Sequence, residues 1–248
     1  MYNDILKIGP VTIHGYGLMV AIGIVAALFA GLRLAKKKGL SGDAIYSLTI
    51  ISVFSGFFCA KILYCIVEWR RFIKSPLSVI GSDGFVIYGG IIGGVFFCGL
   101  YCLVKKLSFW KYFDVVLPSV AIAQGFGRIG CFLAGCCYGQ ETDLPIGVTF
   151  PVGSIAPHEY PVLPTQLMSS AGCFIIAAVL FIYARKERPE GIAGALYLIM
   201  YSIGRFVIEI FRSDERGSIG PLSTAQFISI FILIIGITIL FIKKPKKA

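Results

Sequence analysis

Arg128 stands in QGFGRIGCFLAGCCYG, residues 124–139, inside a long apolar run that begins near Tyr112, with no acid within ten positions on either side. At mid-membrane depth an arginine costs roughly 2.5–3.5 kcal/mol on insertion scales, so such a residue faces a bundle interior or wet cavity and meets an anion. Gly125, Gly127, Gly130, Gly135 and Gly139 surround it with bare backbone, which permits close helix approach or a bound headgroup. The implied chemistry is that of a fixed cation holding an anionic ligand. The competing reading is a helix-end arginine that snorkels to the interface.

A second constellation is Tyr201, Arg205, Glu209 and Arg212. At about 100° per residue these four fall within about 80° of arc on one helix. Arg205 and Glu209 are one turn apart and can pair. Two arginines against one acid still leave positive charge to meet an anion. Lys61, in an apolar segment, is a further polar anomaly whose long stem could reach an interface.

Of the eight cysteines, only Cys136 and Cys137 look placed near water. The other six lie in apolar segments and read as small packing residues. For the pair two readings stand: an outward-facing thiol that takes part in group transfer, or space-filling. The Cys98/Cys102 spacing is that of helical neighbours, and no metal is expected.

The elements that must position these groups are legible from composition. The chain has 248 residues, 57% hydrophobic and 15% charged, where soluble domains carry about 25% charge. Apolar stretches of about 20 residues, the length that crosses the hydrocarbon layer, recur throughout. They predict an all-α polytopic membrane protein with seven spans, near 12–35, 44–66, 85–104, 112–135, 165–184, 191–211 and 224–242. The whole, 1–248, reads as one integral membrane domain with outer loops 67–84 and 140–163, and no cleavable signal peptide is expected at its start.

The net charge of +10 sits in short clusters between spans rather than on a basic face interleaved with aromatics, which argues against nucleic acid. Alternate connections hold fourteen of the 23 Lys and Arg residues, including Lys36–Lys38, Lys105, Lys106, Arg185, Lys186 and Lys243–Lys247, against six on the other side, among them Arg212 and Arg216. The richer side marks the cytoplasm, placing the amino terminus outside and the carboxyl terminus inside. Basic residues 68–84, with Trp69, suit anionic headgroups. Gly89/Gly93 and Gly90/Gly94 are overlapping small-residue pairs for close packing. Residues 140–163 lack Lys and Arg, carry four prolines and read as an ordered loop or short hairpin.

Taken together, Gly127-Arg128-Ile129-Gly130-Cys131-Phe132 with Gly139, and Tyr201 through Arg212, resemble the signatures of the bacterial prolipoprotein diacylglyceryl transferase family. Gly9-Pro10, His14-Gly15-Tyr16-Gly17-Leu18, Asp114, Pro118 and Pro164-Thr165-Gln166-Leu167 fit it in order along nearly the whole chain. The resemblance implies transfer of diacylglycerol from phosphatidylglycerol to the lipobox cysteine thiol of a prolipoprotein, releasing glycerol-1-phosphate. It implies a multi-pass protein of the bacterial cytoplasmic membrane, partnered by the prolipoprotein signal peptide and membrane lipids, with no cofactor. By the same resemblance Arg128 and Arg205 hold the lipid phosphate, and Tyr16 and Tyr201 line that site. Tyr88 joins the two arginines as a catalytic candidate, and Lys61, Gly89, Gly90, Gln166, Glu209 and Arg212 are substrate-binding candidates. The chain departs from the family where Tyr88 replaces a histidine, Lys61 an arginine, Cys131 and Ala134 two asparagines, and Cys136 a glutamate. Those departures keep open a different, non-lipoprotein acceptor. A non-catalytic lipid-binding or transport protein is the remaining alternative.

The charge pattern generates a test. A cysteine introduced at Ser154 should react with an impermeant maleimide in intact cells once other reactive thiols are masked; labelling only after lysis would reverse the orientation.

Overall fold

The structure, a computed structural model, describes residues 4–8, 11–82, 84–214 and 217–243. Gly9, Pro10, Arg216 and residues 244–247, used above for the resemblance and the charge pattern, lie outside the described residues. Among those described, seven helices are long and apolar enough to cross a membrane. They are α1 (Gly15–Lys37), α2 (Gly42–Val67), α5 (Ile87–Val104), α6 (Phe109–Ala134), α7 (Thr165–Tyr183), α8 (Ile192–Ile210) and α9 (Thr224–Lys243). Each expected span is present, its ends within three residues of the hydropathy reading. The chain is therefore an all-α multi-pass membrane protein.

Short elements fill the connections. Strands β1 (Asp4–Ile8) and β2 (Val11–His14) form an antiparallel hairpin, so the first helix starts at Gly15, after the position hydropathy gave. Hydropathy counts residues 12–14 as span because it does not see backbone pairing. Two short helices, α3 (Trp69–Lys74) and α4 (Pro76–Ile80), follow α2, and a two-residue hairpin, β3 (Ser218–Ile219) with β4 (Leu222–Ser223), leads into α9.

The chain divides into two compact units, residues 38–112 and the remainder. In the first, α5 packs on α2 through bare backbone. A Cβ at Gly89 would strike the Cys59 carbonyl, and one at Gly90 would lie 2.9 Å from the Gly56 carbonyl. The close-packing reading of these glycines therefore holds. Lys61 donates to the carbonyls of Ser82 (2.5 Å) and Gly84 (3.1 Å), with its ammonium 4.7 Å from the Phe85 ring centre. It ties Ser82, Gly84 and Phe85 back onto α2.

In the second unit, α6 is locked to the start of α8 by one carboxylate. Asp114 is 3% exposed, and its two oxygens accept from the Gly191 N–H (2.7 Å) and the Gly194 N–H (2.8 Å). An acid from a neighbouring helix thus caps the first turn of α8, where N–H groups lack partners and the helix dipole favours negative charge. Gly191 sits at φ +91°, a conformation that costs any residue with a Cβ. Pro118, within α6, has no N–H to give the Asp114 carbonyl one turn earlier, which locally loosens the helix at the point where Asp114 reaches across. The apolar core of this unit gathers Ala121, Ile176, Ala177, Leu180 and Tyr197 from α6, α7 and α8.

Removing the cap should be costly. Asp114→Ala leaves two buried N–H groups without an acceptor and should lower stability by about 2–6 kcal/mol, at about 1–3 kcal/mol per orphaned group. Asp114→Asn, which keeps one acceptor, should lose roughly half as much. Thermal unfolding in detergent micelles measures both; equal stability of all three proteins would remove the cap from the account.

Candidate functional site

Arg128, Tyr201 and Arg205 are brought together by α6 and α8, and α7 supplies the third wall. The three helices line a half-open cavity of about 300 Å³, with Arg128 from α6, Met168, Ser169, Gly172, Cys173 and Ile176 from α7, and Tyr201, Gly204, Arg205, Val207 and Ile208 from α8. A bare glycine and side-chain hydrogen bonds explain how the helices come so close. A Cβ at Gly125 would enter the ring of Phe174, and Ser170 Oγ donates to the Gly125 carbonyl at 2.8 Å. Gln124 Oε1 accepts from the hydroxyl of Tyr197 (2.7 Å), whose ring stacks on Tyr201 at 5.7 Å between centres and 10° between planes. Tyr197 is one turn before Tyr201 on the same stripe, so the helical period that found Tyr201 also contained its supporting ring.

The charges are unevenly matched. Arg205 pairs with Glu209 at 2.5 Å, and Arg212 approaches the same carboxylate at 3.4 Å. The Glu209 side chain is 1% exposed. The pairing expected from sequence is thus present, with a further member that the helix wheel missed. Asp214 takes Arg212 from the far side through both of its oxygens, at 2.6 and 2.9 Å. It lies beyond the helix end, where periodicity gives no signal. Arg128 has no carboxylate partner among the described residues. Arg128 and Arg205 line the same cavity, and of the two only Arg205 has a carboxylate partner among the described residues. That arrangement favours a bound anion.

The chain leaving α6 reverses direction. Gly135 (φ +72°) and Cys137 (φ +62°) turn it back. Residues 138–140 then run between two neighbours: Gly139 N–H donates to the Leu163 carbonyl (2.9 Å), Gln140 N–H to the Phe211 carbonyl (2.9 Å), and Ser213 N–H to the Tyr138 carbonyl (3.3 Å). This threading holds the segment that carries Arg212. Gln166, fully buried, donates through Nε2 to the Cys136 carbonyl at 2.7 Å. Its Oε1 has no hydrogen-bond partner among the described residues, leaving an acceptor that a bound molecule's donor can satisfy. Tyr16 packs on Gly130, where a Cβ would lie 3.1 Å from its ring. Residues 140–163 are ordered as expected, with bridges of Val162 to Glu141 and Val148 and a small core of Phe150, Ala156 and Val162.

Arg128, Arg205, Tyr201, Tyr16, Glu209, Arg212, Gln166, Cys136 and Cys137 thus all lie in one unit. Tyr88, Lys61, Gly89 and Gly90 belong to the unit of residues 38–112, Tyr88 in the first turn of α5.

A family model described as prolipoprotein diacylglyceryl transferase matches residues 3–242 of the chain. The chain belongs to this family. It is 46% identical over 237 residues to the phosphatidylglycerol–prolipoprotein diacylglyceryl transferase of Clostridium tetani, covering 95% of each chain. To a second such transferase, from Clostridium perfringens, it is 47% identical, covering 94% of this chain and 92% of the relative. The transferase of Clostridioides difficile is 33% identical over 92% of this chain and 89% of its own. The family resemblance read from the motifs is thereby established.

The cavity wall offers a test that separates occupancy from folding. A Cβ at Gly172 or Gly204 would meet nothing within 4 Å, and replacing a mid-helix glycine normally gains about 0.5–1 kcal/mol. Gly204→Leu should therefore keep or raise thermal stability while filling the cavity, and the phospholipid that co-purifies with the protein should fall severalfold by mass spectrometry. Unchanged lipid content in a well-folded variant would place the ligand elsewhere.

Proposed function

We propose that this chain transfers the diacylglyceryl group of phosphatidylglycerol to the lipobox cysteine thiol of a prolipoprotein, with glycerol-1-phosphate leaving. The observation that carries the reading is the two-guanidinium cavity. It provides net positive charge inside an apolar bundle, in a family whose named members act on this lipid and this class of protein.

The chemistry asks for that charge. As the acceptor sulfur forms its bond to the glyceryl carbon, the carbon–oxygen bond to phosphate breaks. The diester, with one negative charge, leaves as a monoester with two, and the thiol gives up its proton. Charge therefore grows on the phosphate as the bond breaks, and guanidiniums fixed beforehand in a poorly hydrated cavity stabilise that growth more than they stabilise bound lipid. In this reading Arg128 and Arg205 hold the phosphate, while Tyr16 and Tyr201 line it. Glu209 holds Arg205 in place and keeps the two like charges from repelling the helices apart. Arg212 reinforces the carboxylate, and Gln166 fixes the turn after α6.

Tyr88 stays a proposed catalytic group, for the proton that the acceptor thiol gives up. Lys61, Gly89 and Gly90 shape the unit that carries it. The excess of Lys and Arg on alternate connections supports a place in the bacterial cytoplasmic membrane with the amino terminus and residues 140–163 outside. There the signal peptide of a secreted precursor would present its cysteine.

In proteoliposomes containing phosphatidylglycerol and a prolipoprotein acceptor, Arg128→Ala and Arg205→Ala should each lower transfer by at least about a hundredfold, of the order found for a lost transition-state donor. Lysine at either position should recover part of the rate, since it keeps the charge and loses the two-pronged geometry. Full transfer by either alanine variant, inserted normally, would overturn the assignment.

A further inference from the structure

The three thiols at the end of α6 lie closer than packing requires. Sγ atoms of Cys131, Cys136 and Cys137 are all within 4.8 Å of one another, and all three cysteines are free and partly exposed. Cys131 comes from the last turn of α6. The left-handed Gly135 then reverses the chain so that the next two residues return beside it. Cys136 N–H donates to the Cys131 carbonyl at 3.1 Å, closing that reversal.

The turn is held from outside as well. Gln166 Nε2 reaches the Cys136 carbonyl and Thr165 Oγ1 the Cys137 carbonyl, each at 2.7 Å. Cys137 itself adopts φ +62°, a conformation that a side chain other than glycine's occupies at a cost. The result is three sulfur donors presented on one short, pinned turn.

We propose that Cys131, Cys136 and Cys137 form a three-thiolate site for a soft d10 cation of the Cu(I) or Zn(II) class. Sulfur ligands select such ions over hard cations. Thiolates about 2.3 Å from a metal stand about 4 Å from one another, so the cluster needs to contract by less than about one ångström. Cu(I) is satisfied by three sulfurs, and Zn(II) would add water as a fourth ligand.

Uptake breaks the S–H bonds, forms S–metal bonds and sends the protons to solvent. A bound ion would brace the turn between the arginine helix α6 and the segment that carries Arg212. The proposal is independent of the transfer reading, because every readout below is of binding.

The full chain, purified in detergent without oxygen, is titrated with Cu(I), Zn(II) and, as an optical probe, Cd(II). The expected result is one ion per chain, sulfur-to-cadmium absorption in the near ultraviolet, and protection of all three cysteines from alkylation as mapped by peptide mass spectrometry. Serine at 131, 136 or 137 should weaken binding at least about tenfold, while Cys98→Ser leaves it unchanged. The alkylation map needs no variant, so a serine protein that fails to insert leaves the test intact. No retained ion, binding that persists in the triple serine variant, or two of these thiols found joined as a disulfide under these conditions would each overturn the proposal.

Discussion

The constraint on which the unit of α1 and α6–α9 depends is the burial of more positive than negative charge among apolar helices. Arg205 and Arg212 both draw on Glu209, Asp214 relieves Arg212, and Arg128 is left without a carboxylate among the described residues. Taking ions out of water is expensive unless partners and hydrogen bonds compensate. The bundle meets that cost in part through Glu209 and leaves the remainder for a ligand. Tight packing around the cavity is what allows the imbalance to persist. Gly125 against Phe174, Tyr197 on Tyr201, and Asp114 on the first turn of α8 hold the helices so that the guanidiniums cannot swing apart or out.

A second theme is the use of backbone groups where side chains would be too large. Glycine at 89 and 90 brings α5 onto α2. Asp114 caps a helix that does not contain it, and the strand-like residues 138–140 take hydrogen bonds from both sides. The last two devices satisfy polar groups that would otherwise be unpaired inside a membrane protein, where no water substitutes for them. The threading of residues 138–140 sets the end of α6, the start of α7 and the end of α8 in one relation.

Most of this was readable before the fold was known, for a physical reason: a span and a charged stripe each have a period. The seven helices follow from hydropathy, and Tyr201, Arg205, Glu209 and Arg212 from the helical wheel. What escaped has no period. The pairing of residues 4–8 with 11–14 is short and only partly apolar, and hydropathy merged its second strand into a span. Asp214 meets Arg212 only because the chain turns after α8. Lys61 was visible as an anomaly, but its partners are carbonyls, which every residue has and no sequence distinguishes. Cys131 read as packing because it lies in an apolar segment; the left-handed step at Gly135 brings 136 and 137 back beside it.

The lining of the cavity has a consequence for how the protein would be saturated. Met168 and Val207, on its walls, are 37% and 46% exposed, on helices that lie in hydrocarbon. A ligand arriving there diffuses in two dimensions, and its chemical potential is set by its share of the surrounding lipid rather than by any amount dissolved in water. Occupancy then tracks bilayer composition. Diluting the membrane with a neutral lipid would act as a competitor does for a soluble enzyme, while diluting the vesicles themselves would leave the site as full as before.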